Sequence, residues 1–209
     1  MKRSAALLLI LGLATATLLP AQELAPAATS PLVEAARARI GVTTSYDPAY
    51  VALPYPGGDV PDDRGVCTDV VVRAFRKVGV DLQKAVHEDM KENFSKYPQR
   101  WDLKRPDRNI DHRRVPNLQA YFKRRGWERP ITDKATDYSP GDVVAWDLTG
   151  RGLVHIGLVS DRKSSSGDPL ILHNIGSGTE ESDALFRFAI IGHYRPRLQE
   201  NNPATATGR

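Results

Sequence analysis

The chain has 209 residues with 29 Lys+Arg against 25 Asp+Glu, a single Cys and a mean hydropathy of −0.40. One Cys excludes a disulfide-stapled scaffold, and 41% hydrophobic residues exclude a wholly disordered chain. The net charge of +4 falls to +2 once Lys2 and Arg3 leave with the leader described next, too slight a surplus for a nucleic-acid binder.

Met1-Lys2-Arg3 is a positive n-region, Ser4 to Leu19 is small and apolar, and Leu19-Pro20-Ala21 offers a small residue at the cut. Residues 1–21 therefore read as a secretory signal peptide, whose apolar run, closed by Pro20, is shorter than the roughly 20 residues of a membrane helix. Nothing downstream is apolar enough to span a membrane, so the mature chain is expected in the periplasm or at the cell surface. Residues 22–30, rich in Ala, Pro and Ser/Thr, read as a flexible lead-in.

Pro31 at a first helical position, followed by Leu32, Val33, Ala36 and Ile40, predicts a helix closed by Gly41. Thr43 to Gly65 is punctuated by Pro and Gly, densest at Tyr55-Pro56-Gly57-Gly58-Asp59, and is expected to lack regular structure. Loops of that length inside a compact domain are commonly functional. From Cys67 to Val78, Val71, Val72, Phe75 and Val78 form one apolar stripe, with basic residues in the last turn and Gly79 as the stop, which predicts a helix with Cys67 in its first turn. Asp81 can cap a further helix over 82–94, and Pro116 starts another that Gly126 stops. After Ser139-Pro140-Gly141-Asp142 the pattern becomes β-rich, with strands expected over 143–146, 153–160, 170–174 and 185–194. Helices first and strands later indicate an α+β domain over 31–197 with an antiparallel sheet, followed by a frayed, disordered tail over 198–209.

An unpaired thiol in an exported chain needs a reason. At a helix N-terminus the unsatisfied N–H groups and the macrodipole favour a thiolate, and a nearby His can take the proton. Of the five His, His155 is the best candidate base: it shares a face of an apolar strand with Gly157, which leaves room beside the ring. A hairpin brings His173 near it to orient the imidazole, and Asn174 can do the same from the opposite face, so both stay open as the third member of a triad. The bland alternative is a core Cys and a hydrogen-bonded structural His. His193 reads as structural.

Residues 95–115 carry seven basic side chains against three Asp, with Tyr97 and Trp101 interleaved. Arg113, Arg114 and Trp101 are candidates for a groove that binds a carboxylate-bearing ligand, since Arg meets carboxylates in a bidentate fork. No Cys/His spacing suggests zinc, His87 has no second His four residues on, and Gly57-Gly58 lacks the Lys of a phosphate loop. No metal or cofactor is expected.

Tyr55-Pro56-Gly57-Gly58, the Cys67 helix ending near Gly79-Val80-Asp81-Leu82, Pro140 to Trp146, His155-Ile156-Gly157-Leu158-Val159 and the hairpin to His173 together resemble NlpC-type cell-wall peptidases of the papain-like superfamily. Gly65 to Val71, Asn109 to Leu118, His173-Asn174-Ile175-Gly176 and Gly192-His193-Tyr194-Arg195 resemble, over about 31–197, an exported bacterial family catalogued as domain of unknown function 1287. These resemblances imply a papain-like fold with Cys67 as nucleophile, His155 as base, His173 orienting it, and Tyr55 with the Cys67 N–H on the oxyanion side. The chain departs from the NlpC pattern Asp-Cys-Ser-Gly, because its carboxylate, Asp69, follows the Cys, which bears on substrate recognition. The implied activity is cysteine amidase or endopeptidase action on peptidoglycan peptides. An acyltransferase or thioesterase on the same fold, or a non-catalytic wall-binding or partner-binding module, are the alternatives.

Overall fold

Apolar residues at helical spacing pack the helices into the core in the computed structural model, which describes residues 30–198, and the Cys67 helix is buried on all sides through Phe75. The expected leader and all of the lead-in but Ser30 lie outside those residues, as does the tail after Leu198. Helix α1 (Pro31–Arg37) buries Leu32, Val33 and Ala36. It stops four residues before Gly41, because the bonds Arg39 N–H to Ala36 O and Ile40 N–H to Arg37 O tighten the chain into three-residue turns. A two-residue strand β1 (Ser45–Tyr46) pairs in parallel with β2 (Arg64–Gly65). The segment expected to be structureless is thus a loop pinned at its two ends, and its closing pair delivers the chain directly into the next helix.

Helix α2 (Cys67–Lys77) is the central one, with Val70, Val71, Ala74 and Phe75 buried and Gly79 at φ 88° ending the run. Helix α3 (Leu82–Asn93) starts where the Asp81 carboxylate accepts the Gln83 N–H at 3.0 Å. A 3₁₀ turn over Asp111–Arg113 leads into α4 (Val115–Arg124), with Pro116 in its first turn.

The strands β3 (Val143–Asp147), β4 (Val154–Lys163), β5 (Pro169–Asn174), β6 (Thr179–Ser182) and β7 (Ala189–Tyr194) form one antiparallel sheet in the order β6-β5-β4-β3-β7. The mixed α+β architecture with an antiparallel sheet agrees with the sequence reading. The final expected strand is shorter than its apolar pattern suggested. Arg187 N–H turns back to Ala184 O, and the carbonyl of buried Leu185 accepts the Trp146 indole N–H at 2.9 Å. Strand β6, rich in Glu and Ser, gave no apolar alternation to detect.

Period-two alternation gives the sheet two different faces. Val143, Ala145, Ile156, Leu158 and Leu172 pack against the helices. Val144, Trp146, Val159 and Ile171 point the other way and form a smaller cluster with Tyr138, Ala184 and Leu185.

Candidate active site

The α2 N-terminus is built around Asp69. Its carboxylate accepts the Val66 N–H at 2.7 Å, supplying the N3 half of a capping box, while Val66 has no side-chain acceptor to return. Arg113 clamps the same carboxylate through Nε at 3.0 Å and Nη2 at 3.0 Å, and its other donors reach the carbonyls of Ala49 and Asp47. Both side chains are buried. Gly65 is required here, since a Cβ on it would lie 2.9 Å from Asp69 Oδ2. Thr68 adds a tie, its hydroxyl donating to the Arg113 carbonyl at 3.1 Å.

This frame corrects two expectations. Asp69 and Arg113 were candidates for substrate contact, yet each is spent on the other and on nearby backbone. They fix the helix start rather than offer free polar atoms. Trp101 remains available, and Arg114 in part: beside a 3.4 Å pair with Asp111, its guanidinium lies 4.1 Å from the centroid of the half-exposed Trp101 ring, at the wall of the Cys67 pocket.

Cys67 borders an open pocket of about 360 Å³, with Tyr46, Trp101, Arg114 and Val154 among its walls. Burial pushes the thiol up to about 11. The Ile156 N–H works against that shift, Asp69 adds to it, and the Thr68 N–H and the Tyr46 hydroxyl oppose it. Tyr46 is in turn held up at about 12, by burial first and by Cys67 next. The sulfur therefore sits against the backbone of β4 at Ile156.

The tyrosine at the sulfur is Tyr46, not Tyr55. Tyr55 was expected on the oxyanion side, but it stands edge-on to His87 at 5.2 Å with Arg108 over its ring. The bend that carries it is fixed to the other end of the helical layer by Gly57 N–H to Asp81 and Gly58 N–H to Gln83. The β1–β2 pair is what brings Tyr46 to Cys67, and two paired residues leave no periodic signal in a sequence.

His155 and His173 do meet. Nε2 of His155 lies 2.8 Å from Nδ1 of His173, and Nε2 of His173 is 2.8 Å from Ser182 Oγ and 3.3 Å from Glu180 Oε1. Ser182 donates to Glu180 at 3.1 Å. The carboxylate at the end of this file sets the tautomers: His173 carries its proton on Nε2, its bare Nδ1 accepts from His155 Nε2–H, and His155 Nδ1 is left without a proton. Gly157 permits the close approach, since a Cβ there would lie 3.1 Å from His173 Cβ. Burial takes His155 down to about 3, with His173 adding to the shift. Burial also lowers His173, against the pull of Glu180.

Asn174 has a different task. Its Nδ2 donates to Gly65 O at 3.0 Å and Ser45 O at 3.3 Å, and its Oδ1 accepts the N–H groups of Gly176 and Gly178. It bolts the β1–β2 pair to the sheet, so contact decides that His173, not Asn174, partners His155. Glu180 and Ser182 were not foreseen, because they sit on the strand that alternation did not mark.

Among the described residues, no hydrogen bond joins Cys67 to His155. The His155 side chain leaves β4 on the face of Trp146, 6.0 Å between ring centroids, whereas Cys67 belongs to the helix-side cluster. The two groups approach the same stretch of β4 from opposite sides. His193, bonded to Asp142 at 2.8 Å and to Pro130 O at 3.0 Å, has a structural setting. No group of three or more His, Cys, Asp and Glu side chains among the described residues is arranged to hold a metal ion.

The profile of a family described as "Domain of unknown function (DUF1287)" matches residues 33–196. The chain belongs to this family. It is also 58% identical over 164 residues to "Uncharacterized protein YijF" of Escherichia coli (strain K12), a match covering 78% of this chain and 80% of that protein. The DUF1287 match encloses every group placed above, from Tyr46 and Cys67 to the His155–His173–Ser182 file. No described helix is long and apolar enough to cross a membrane.

Proposed function

We propose that this DUF1287 protein is an exported, papain-like cysteine hydrolase that cleaves an amide bond in peptidoglycan peptides. The observation that carries this reading is the lone thiol at the start of α2, opening on a pocket and touching the residue next to His155, whose Nδ1 is left unprotonated at the head of a four-member polar file. Trp101 and Arg114 supply an aromatic surface and a cation for a carboxylate-bearing peptide at that pocket.

In the reaction the Cys67 sulfur and His155 Nδ1, which meet β4 from opposite faces, have to come within hydrogen-bond reach of one another. As Sγ bonds to the substrate carbonyl carbon, the thiol proton passes to His155 Nδ1. The oxyanion accepts from the Cys67 N–H and the Tyr46 hydroxyl. Collapse of the tetrahedral species breaks the C–N bond, and His155 returns the proton to the departing amine. A water, deprotonated by His155 Nδ1, then hydrolyses the thioester and restores the thiol. His173 holds the ring and its tautomer throughout.

The raised thiol and lowered imidazole make the resting pair neutral, so the chemistry is general-base assisted and no preformed ion pair is invoked. The same observation, with the two groups on opposite faces, favours a second reading: a binding module that retains the site without turnover. An acyltransferase or thioesterase would use the same three residues. Incubation with soluble muropeptides, read by mass spectrometry, separates these readings. The hydrolase reading expects amide cleavage by the wild type and none by Cys67→Ala or His155→Ala. Intact muropeptides with turnover of thioesters would move the assignment to acyl transfer. No turnover of either, with retained muropeptide binding, would leave the binding module.

A further inference from the structure

A second concavity, of about 720 Å³, lies on the other side of the loop that borders the Cys67 pocket. Arg100 and Trp101 face the thiol side, whereas Asp102 to Asn109 line this cleft together with Tyr50 and α3. We propose that the cleft is a binding site for a polyanion, a ligand carrying clustered carboxylate or phosphate oxygens. It requires no chemistry at Cys67 and goes beyond the hydrolase reading.

Charge is the first argument. Lys91, Lys104, Arg105 and Arg108 border the cleft against Asp102 and Asp107. None of the four cations has an ion-pair partner within 4 Å among the described residues, whereas most other arginines of the fold are spent on carboxylates. Of the two acids, Asp107 is already engaged, accepting from Tyr50 Oη at 3.1 Å and from the Asn109 N–H at 2.9 Å. The cleft therefore sets four cations against two carboxylates, one of them already held by Tyr50 and Asn109.

The second argument is an orphaned polar atom. His87 reaches this cleft from α3, and its Nδ1 is buried without a hydrogen-bond partner. Such an atom costs free energy unless something satisfies it, and because it has no exposed surface a ligand oxygen reaches it only once the ring turns toward the cleft. The third is rigidity. Tyr50 Oη accepts from Asn109 Nδ2 at 2.8 Å and Asn109 Oδ1 accepts the Leu53 N–H at 3.0 Å, so one wall is held before any ligand arrives. A volume of this size matches the few hundred to about 1,000 Å³ of small-molecule sites.

The test uses tricarballylate and inorganic pyrophosphate as probes, titrated into the full mature chain by calorimetry, with the His87 imidazole signals followed by NMR. The expected result is saturable binding of at least one probe at physiological salt, a shift of the His87 signals, and at least tenfold weaker binding to Lys104→Ala/Arg105→Ala. Both substituted side chains are exposed, so the variant is expected to fold, and an unchanged melting temperature checks that. Binding of tricarballylate alone identifies a carboxylate ligand and of pyrophosphate alone a phosphate ligand. No saturable binding of either probe, or equal binding to the variant, overturns the proposal. Muropeptide turnover is read separately, so failure here leaves the hydrolase reading standing, and the converse.

Discussion

The two faces of the sheet treat their polar groups in opposite ways. On the helix side, Cys67 is set in an apolar cluster and its sulfur is reached by backbone amides and one tyrosine hydroxyl. On the other side, His155, His173, Ser182 and Glu180 form a continuous file of side-chain hydrogen bonds beside Trp146. The helix side is a frame that keeps a thiol neutral, and the far side is a file that leaves one imidazole nitrogen unprotonated. Function under this account lies in the junction between them, along β4 at residues 155–156.

The comparison is broken most severely from the helix side. Arg113→Ala leaves Asp69 as an unpaired buried charge and is expected to cost about 3–5 kcal/mol in denaturant unfolding. Its neighbour Arg114→Ala, at a partly exposed pair and ring contact, should cost about 1 kcal/mol or less. Equal losses would mean that Arg113 is not the clamp described. On the far side, His173→Ala strands His155 Nε2 and should cost about 1–3 kcal/mol while slowing thiol alkylation. Asn174→Ala should disturb the β1–β2 pair and Tyr46 instead, leaving the His155 ring signals in place.

Acid sharpens the same contrast. His155 (about 3), His112 (about 4) and His173 are all held below the ordinary histidine range by burial. The unfolded chain therefore binds more protons than the folded one below about pH 6.5, and stability is present above that value and lost as pH falls toward the folded pKa values. Each such group contributes a slope of about 1.4 kcal/mol per pH unit. Asp111, pushed up to about 6 by burial, has the opposite sign between its ordinary value and 6 and offsets part of the loss. Midpoints of unfolding measured from pH 7.5 to 4.5 should decline, and His155→Gln should flatten the decline. A flat wild-type profile would contradict the buried, neutral histidines.

The smallest effect is expected at the pocket wall. Trp101 and Asp102 occupy the left-handed region at φ 63° and 50°, a conformation that costs about 1 kcal/mol or more for such residues. Trp101→Gly relieves part of that strain and loses the contact with Arg114, so stability should change by less than about 1 kcal/mol. Alkylation of Cys67 by a bulky maleimide should become faster, and an unchanged rate would remove Trp101 from the pocket entrance.

Much of this was legible in the sequence where a periodic pattern and a stop residue coincided. The α2 stripe with Gly79 placed Cys67 at a helix start, and the apolar alternation around His155 and His173 placed them on adjacent strands. What escaped had no period. Tyr46 reaches the sulfur through a two-residue parallel pair, whereas the Pro-Gly-Gly setting of Tyr55 resembles a known motif without bringing that ring to the thiol. Glu180 and Ser182 lie on a polar strand whose pairing with β5 depends on register. Alternation did place His155 and Gly157 on one face, but which face the helices would cover is a tertiary fact, and it separates Cys67 from its expected base.

The central claim is that His155 takes the proton of Cys67, and the most direct test is the rate of Cys67 alkylation by iodoacetamide against pH in the wild type and His155→Ala. A base-assisted thiol should label at pH 7 at least tenfold faster in the wild type, with the difference closing as acid protonates His155. Superimposable profiles, both rising only toward the raised thiol pKa of about 11, would contradict the account and assign Cys67 to the core.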